Sequence, residues 1–346
     1  MKKKIAVLLT LLLAAGSSVP AFAAENAQQT PDQKKTVVVS LDSIEGIMKT
    51  YNFNLQTYEN DLEVARHNKK DNKGDESEAY YNNQLDLAEV QYDENVAKTM
   101  VNAKQSYLAY CADDDKYMAA QTNADNAQKA YNAAFSSLSS GFASQKDCDN
   151  LKDEYLQAQN TLTQLNSQMI RDRASLRALL NLPDNVNMSV KPISSNDLDF
   201  SGIPNINYDT DQIVMLGLDA TVKQAAMNYD YLENDVLSPD SHDVENAKIA
   251  VEQAKTSEKA AFKKLYDSLN SAYTVYQQDL DKVQRAQQAL EAENKAFAAG
   301  YSSQQSVNGK TNDLNALQST LATDRNTLYT CYLNYTNMKK GFSTGS

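Results

Sequence analysis

The stretch AFAAGYSSQQ, residues 296–305, places a glycine and a run of hydroxyl and amide side chains in the middle of what otherwise reads as a very long helix. The same interruption occurs earlier as SLSSGFASQK, residues 137–146, and the two align with the constant offset of 159 positions that separates Gly141 from Gly300. Working outward in steps of seven, Ala103, Tyr110, Tyr117, Ala124, Tyr131 and Leu138 lead up to the first break. Phe262, Leu269, Tyr276, Val283, Leu290 and Phe297 lead up to the second. Beyond each glycine the apolar pattern resumes in steps of three and four, as Leu151, Tyr155, Ala158, Leu162, Leu165, Met169, Leu176 and Leu179, and as Leu314, Leu317, Leu321, Leu328, Cys331, Tyr335 and Met338. A sustained seven-residue repeat implies supercoiled helices that pack through a narrow stripe along their whole length.

The break is therefore a place where the chain turns back. Gly141 and Gly300 supply the positive φ that ends a helix, and Ser144 and Ser303 stand where the first free N–H groups of the next helix need an acceptor. The sequence predicts two helical hairpins, the first with a long arm of about 90 Å and a return arm of about 55 Å at 1.5 Å per residue. Ungapped identities on both sides of the turns, among them Tyr107/Tyr266, Gln128/Gln287, Gln145/Gln304 and Leu162/Leu321, mark an internal duplication.

Residues 1–23, MKKKIAVLLTLLLAAGSSVPAFA, have a basic start, an apolar centre and a small-x-small end, the pattern of a cleaved secretory signal. The apolar run is shorter than the roughly 20 residues a spanning helix needs. Removing Lys2, Lys3 and Lys4 takes the formal charge from −12 to −15, which argues against a nucleic-acid partner. Only 10 Gly, 6 Pro and no Trp in 346 residues fit an all-α chain with little or no β-structure. The expected organisation is a first hairpin repeat over 24–181, a connector over 182–208, a second repeat over 209–341 and a tail over 342–346. Each hairpin is preceded by a shorter helical segment, TVVVSLDSIEGIMKTYNFNLQTYENDLEVARHN in the first repeat and YDTDQIVMLGLDATVKQAAMNYDYLEND in the second. The connector holds Pro183, Pro192 and Pro204 and an alternating run, residues 188–191, that suggests a small strand.

The succession of short helix, long helix, glycine tip, return helix ending in LRALLNLP, connector, and the same again ending in YLNYTNMKKG resembles the TolC-type outer-membrane efflux family. The segment SLDSIEGIM and the tips GFASQKD and GYSSQQS carry the likeness, which runs from about residue 37 to residue 341. It implies a homo-oligomer, a trimer by resemblance, that forms a helical tunnel in the cell envelope. Its tips, Gly141, Phe142 and Ser144 with Gly300, Tyr301 and Ser303, would meet a membrane-fusion-type adaptor protein coupled to an inner-membrane transporter. The family also places an acid just past the tip glycine as a gate. Asp147 matches that position in the first repeat, whereas the second has Ser306.

One departure is large. The family inserts a pair of membrane-spanning strands between short and long helices, and a spanning strand needs about 9–11 residues. Here the corresponding stretches are HNKKDNKGDESEA and NDVLSPDSH, too charged or too short for a lipid-facing hairpin. The expectation is a tunnel scaffold without a transmembrane β-barrel, exported to the cell envelope or secreted. The alternative is a secreted coiled-coil structural or adhesive protein without transport activity.

No catalytic set, phosphate loop or cofactor motif stands out, and neither an enzyme activity nor a metal is expected. Asp113, Asp114 and Asp115 occupy consecutive helix positions that point in different directions. His67 and His242 fall in hydrophilic stretches read as linkers. Cys111, Cys148 and Cys331 are too scattered for a disulfide framework and are expected as free thiols; if the hairpins stand side by side as the resemblance implies, any bridge would join Cys111 to Cys331.

Overall fold

A computed structural model describes residues 35–74, 77–193, 198–236 and 238–343; the expected signal peptide lies outside the described residues. In the first repeat, strand β1 (Thr36–Val39) leads into helices α1 (Ile44–Tyr51) and α2 (Phe53–Asp71), then the long α3 (Glu78–Ser139) and its return arm α4 (Gln145–Leu179). The connector carries strand β2 (Asn187–Val190) and a 3-10 turn (Ile203–Asn205). The second repeat follows with α5 (Tyr208–Leu218), α6 (Ala220–Asp230), a π-helical turn (Tyr231–Asp235), the long α7 (Ser241–Ala298) and its return arm α8 (Gln304–Lys339).

At 1.5 Å per residue α3 and α7 run ~93 and ~87 Å, and α4 and α8 ~52 and ~54 Å. Packing of α3 on α4, α7 on α8 and α3 on α8 gives a ribbon in the order α4, α3, α8, α7. The seven-residue series lie on the packed faces as expected. Ala103, Tyr110, Ala124, Phe262, Leu269 and Val283 are buried, and of the twelve only Phe297, 41% exposed, is open to solvent.

The return arms are a little over half as long as the arms they pair with, and each is extended by a short helix that starts where it stops. In the first repeat Asn52, N-cap of α2, accepts from the N–H of Leu55 (3.1 Å) and donates through Nδ2 to the carbonyl of Leu179 at the end of α4 (2.8 Å). In the second repeat Asp219, N-cap of α6, accepts from the N–H of Val222 (2.9 Å), while the N–H of Ala220 donates to the carbonyl of Gly341 just past α8 (2.8 Å). The chain leaves α4 through Asn181 at φ 51° and α8 through Gly341 at φ 90°. At Gly341 a side chain has no room, because a Cβ would lie 2.2 Å from the carbonyl oxygen of Leu218. Thus α2 and α6 continue the paths of α4 and α8, and the long helices keep a partner over most of their length.

Two readings change. TVVV belongs to no helix: it is β1, paired in parallel with β2 from Thr36 opposite Asn187 to Val39 opposite Val190. Its β-branched run suits a strand, and the partner that decides the matter lies about 150 positions away. The connector also does more than join the repeats. Its Val186, Met188, Ile193 and Leu198 close the core formed by α1, α3 and α4, and Ile203 enters a second core with Met215, Phe262, Leu269, Leu328, Tyr335 and Met338.

Where the family inserts strands, α2 extends to Asp71 and α3 begins at Glu78, while the π-helical turn ends at Asp235 and α7 begins at Ser241. The described residues of both connections hold no strand, and the two strands elsewhere span four residues each. His67 lies in α2 rather than in a linker, beside Asp71 (3.2 Å), and His242 lies in the first turn of α7. No helix among the described residues is long and apolar enough to cross a membrane.

Candidate functional site

The two tips repeat one another bond for bond. At the first, the N–H of Gly141 donates to Leu138 (3.0 Å) and that of Phe142 to Ser137 (2.8 Å); at the second, Gly300 donates to Phe297 (3.0 Å) and Tyr301 to Ala296 (2.8 Å). This double closure satisfies the last carbonyls of α3 and α7 and requires the positive φ of the glycine, 77° at Gly141 and 78° at Gly300. The next helix starts on a serine. Ser144 Oγ accepts from the N–H of Asp147 and Ser303 Oγ from the N–H of Ser306, both at 3.1 Å. The residue left at each apex is aromatic: Phe142 and Tyr301 are both 88% exposed. Bulky aromatic groups held that far into solvent on a fixed turn are the kind of anchor that protein interfaces use.

The acids at the tips differ. Asp147 takes a hydrogen bond from Ser144 Oγ (2.7 Å), so its carboxylate also completes the start of α4. The second tip has its acid elsewhere, on the descending arm. Glu293 of α7 accepts from Ser302 Oγ, and hydrogen bonds from Ser302 and then Ser306 hold its carboxyl below the usual range. Alignment of the turns alone misses Glu293, because it lies before the glycine.

The hairpins join along α3 and α8 through polar groups. Gln105 meets Asn334 (3.1 Å), Asn326 donates to the carbonyl of Leu108 (2.7 Å), Arg325 pairs with Asp115 (3.3 Å), Asn315 meets Asn123 (3.2 Å) and Asn126 meets Asn312 (3.4 Å). Each hairpin is thus zipped by apolar residues, and among the described residues the pair is fastened by amides and an ion pair together with Tyr329 and Leu333 of α8 packed on the first core. The three consecutive aspartates diverge as their helix positions require. Asp113 pairs with Lys116 (2.8 Å) and faces Asp172 of α4, and Asp115 reaches Arg325 of α8. Burial raises the Asp114 carboxyl. Among the described residues no group of three or more His, Cys, Asp or Glu converges to hold a metal.

A groove of about 810 Å³ runs between α7 and α8, lined by Lys263, Asp267, Val275, Asp324, Thr327 and Cys331 among others. At its edge Asp324 faces Asp279. Burial, then the Asp279 carboxylate, pushes Asp324 up to about 6, while Lys282 holds Asp279 down. All three cysteines are free. Cys111 is buried in the first core, its thiol pushed up to about 11 by burial and its Sγ 4.0 Å from the carbonyl of Lys191; Cys331 opens on the α7/α8 groove. The two sulfurs face different cores, so equal height along the hairpins does not make them a pair within one chain.

No protein-family model matches the chain, and no curated protein matches its sequence. Solved structures do match. The Campylobacter jejuni CmeC outer membrane channel has a TM-score of 0.66 at 10% identity over 88% of this chain and 87% of that one. CusC, described for conformational changes that accompany folding and transmembrane channel formation, gives 0.65 at 11% identity over 91% and 95%. The Vibrio cholerae outer membrane protein VceC gives 0.58 at 10% identity over 88% and 97%. The chain has the fold of TolC-type outer-membrane channels, as the sequence resemblance implies.

Proposed function

We propose that the protein is an exported, TolC-like component of an efflux or secretion assembly, a non-enzymatic helical tunnel whose hairpin tips dock an adaptor. The observation that carries this reading is the matched pair of tips, two turns of identical hydrogen bonding that each hold one aromatic ring 88% exposed. In this reading Gly141 and Gly300 set the turns, Ser144 and Ser303 fix the helix starts, Phe142 and Tyr301 are the contacts, and Asp147 lines a gate at the tip. The occupant is a membrane-fusion-type adaptor coupled to an inner-membrane transporter.

The ribbon order supports assembly. Helices α4 and α7 are its edges, each packed on one long neighbour, so an α4 edge of one copy against an α7 edge of the next closes a ring, a trimer by the family resemblance. Residues 1–23 would direct export and be removed, leaving the two repeats over 24–181 and 209–341 joined by 182–208. Without room for spanning strands, the tunnel stands in the cell envelope without a barrel of its own.

The test is binding. The mature protein and a Phe142→Ser/Tyr301→Ser variant are titrated with the adaptor encoded in the same genome. The variant should keep its circular dichroism and lose on the order of a thousandfold in affinity, since aromatic anchors of this kind are worth about 2 kcal/mol or more each. Equal affinity, or no binding by the unaltered protein, would refute tip docking.

A further inference from the structure

The internal repeat makes an unusual comparison available at the two corners where a short helix takes over from a return arm. Asn52 and Asp219 hold the same station, each the N-cap of the helix that continues the arm, and both are sealed from solvent at 1% and 0% exposure. Asn52 uses both of its ends: Oδ1 accepts from Leu55 N–H, and Nδ2 donates to the carbonyl that ends α4. Asp219 uses one. Its Oδ1 accepts from Val222 N–H, whereas Oδ2, on the atom that corresponds to the donating Nδ2, has no hydrogen-bond partner among the described residues. A buried carboxylate oxygen without a partner is expensive, and a carboxylic acid is the form of that side chain able to donate as an amide does.

The neighbouring carboxyls favour the same form. From α3, Glu94 lies close by, 8% exposed, paired with Lys98 (3.1 Å) and accepting from Ser343 of the segment after α8. From α7, Glu258 is raised by burial first, then by Asp219 and Glu94, with Thr221 and Lys98 opposing. From α6 itself the backbone N–H groups of Val222 and Thr221, and more weakly Lys223, favour the anion, and burial outweighs them. From the end of α8, Lys339 is committed to Asp211 (2.7 Å) and supplies no compensating charge. Three carboxylates from three elements therefore meet at a corner where one lysine is paired to only one of them.

We propose that Asp219 is a proton-operated latch: with a proton on Oδ2 it holds the corner between α5 and α6 against the end of α8 in the manner of Asn52, and loss of that proton to solvent leaves a buried anion facing Glu94 and Glu258 that loosens the corner. The direction of titration agrees. Burial is the main cause that raises Asp219 above its ordinary 3.8. Because the folded value exceeds the unfolded one, the corner has its full stability below that ordinary value and loses it as pH rises through the raised one. The latch sits at the end of the hairpin pair remote from the tips, where α6 contacts both α3 and α7, so the device ties the second repeat to the first in proportion to the acidity around the protein.

Hydrogen–deuterium exchange of the mature protein tests it, followed in peptides covering residues 208–230 and 44–71 from about pH 3 to about pH 8 and corrected for intrinsic exchange. In the unaltered protein, protection of 208–230 should fall as pH rises above the ordinary 3.8, with 44–71 unchanged. Asp219→Asn should keep the cap, supply a permanent donor and hold protection of 208–230 level. Asn52→Asp should carry the dependence into 44–71. Glu258→Gln should move the loss to lower pH, that is to higher proton concentration, without abolishing it. An Asp219→Asn protein that keeps the slope of the unaltered one, or an Asn52→Asp protein with no slope in 44–71, overturns the latch. Should Asp219→Asn fail to fold, the claim that an amide fits this corner fails with it.

Discussion

Replacing Gly341 with Ala tests how the return arm and the short helices are joined. The new Cβ would fall 2.2 Å from the oxygen and 2.4 Å from the carbonyl carbon of Leu218, backbone atoms that cannot swing aside. Relief requires α5 to draw back from the end of α8, which stretches the 2.8 Å bond from Ala220 N–H to the Gly341 carbonyl. Overpacking of this kind costs about 1–3 kcal/mol. Holding a non-glycine residue at φ 90° adds about 1–2 kcal/mol, for a total on the order of 2–5 kcal/mol. Gly141→Ala is the matched control: its φ is 77°, but nothing lies within 4 Å of the added Cβ, so it should lose only the backbone part, about 1–2 kcal/mol. Urea unfolding followed by circular dichroism measures both. The reasoning fails if Gly341→Ala is as stable as Gly141→Ala, or lies within about 0.5 kcal/mol of the unaltered protein, the range of an ordinary surface change.

Two further outcomes are expected from the polar contacts. Asn326→Ala strips the donor from the carbonyl of Leu108 and empties a buried site between α3 and α8, so it should lower stability by about 1–3 kcal/mol, whereas Thr327→Ala beside it, exposed, should change little; the same urea experiment decides. Asp324 is raised to about 6 beside Asp279, so its contribution is present below the ordinary 3.8 and is lost as pH climbs through about 6. Melting temperature should therefore decline over that interval by an amount that Asp324→Asn removes, and an undiminished decline in the variant would exclude the pair as its source.

Much of this fold is legible in the sequence, and the parts that are not share a physical cause. The tips were readable because glycine, serine and the seven-residue series on either side all point to one answer at a fixed offset of 159. The corners escaped because that offset has grown to 167 between Asn52 and Asp219, so ungapped alignment loses them, although Asn and Asp before a helical run are ordinary start signals. β1 was hidden for a different reason. Four residues of β-branched sequence do not choose between helix and strand without a partner, and the partner was a distant stretch of the connector. The polar seam was also hidden, since Asn123, Asn126, Asn312, Asn315 and Asn326 look like solvated helix faces until α3 and α8 are laid side by side. Gly141 and Gly300 lie in the turns between α3 and α4 and between α7 and α8, while Glu293 approaches the second tip from the opposite arm, where alignment of the turns does not reach.

The most direct test of the account is the shape of the assembled protein. The mature chain, purified without detergent and imaged end on by electron microscopy, should appear as hollow rings of three copies in which α4 of each copy lies against α7 of the next. Lone ribbons, solid bundles, or recovery only from detergent-extracted membranes as a barrel would contradict it.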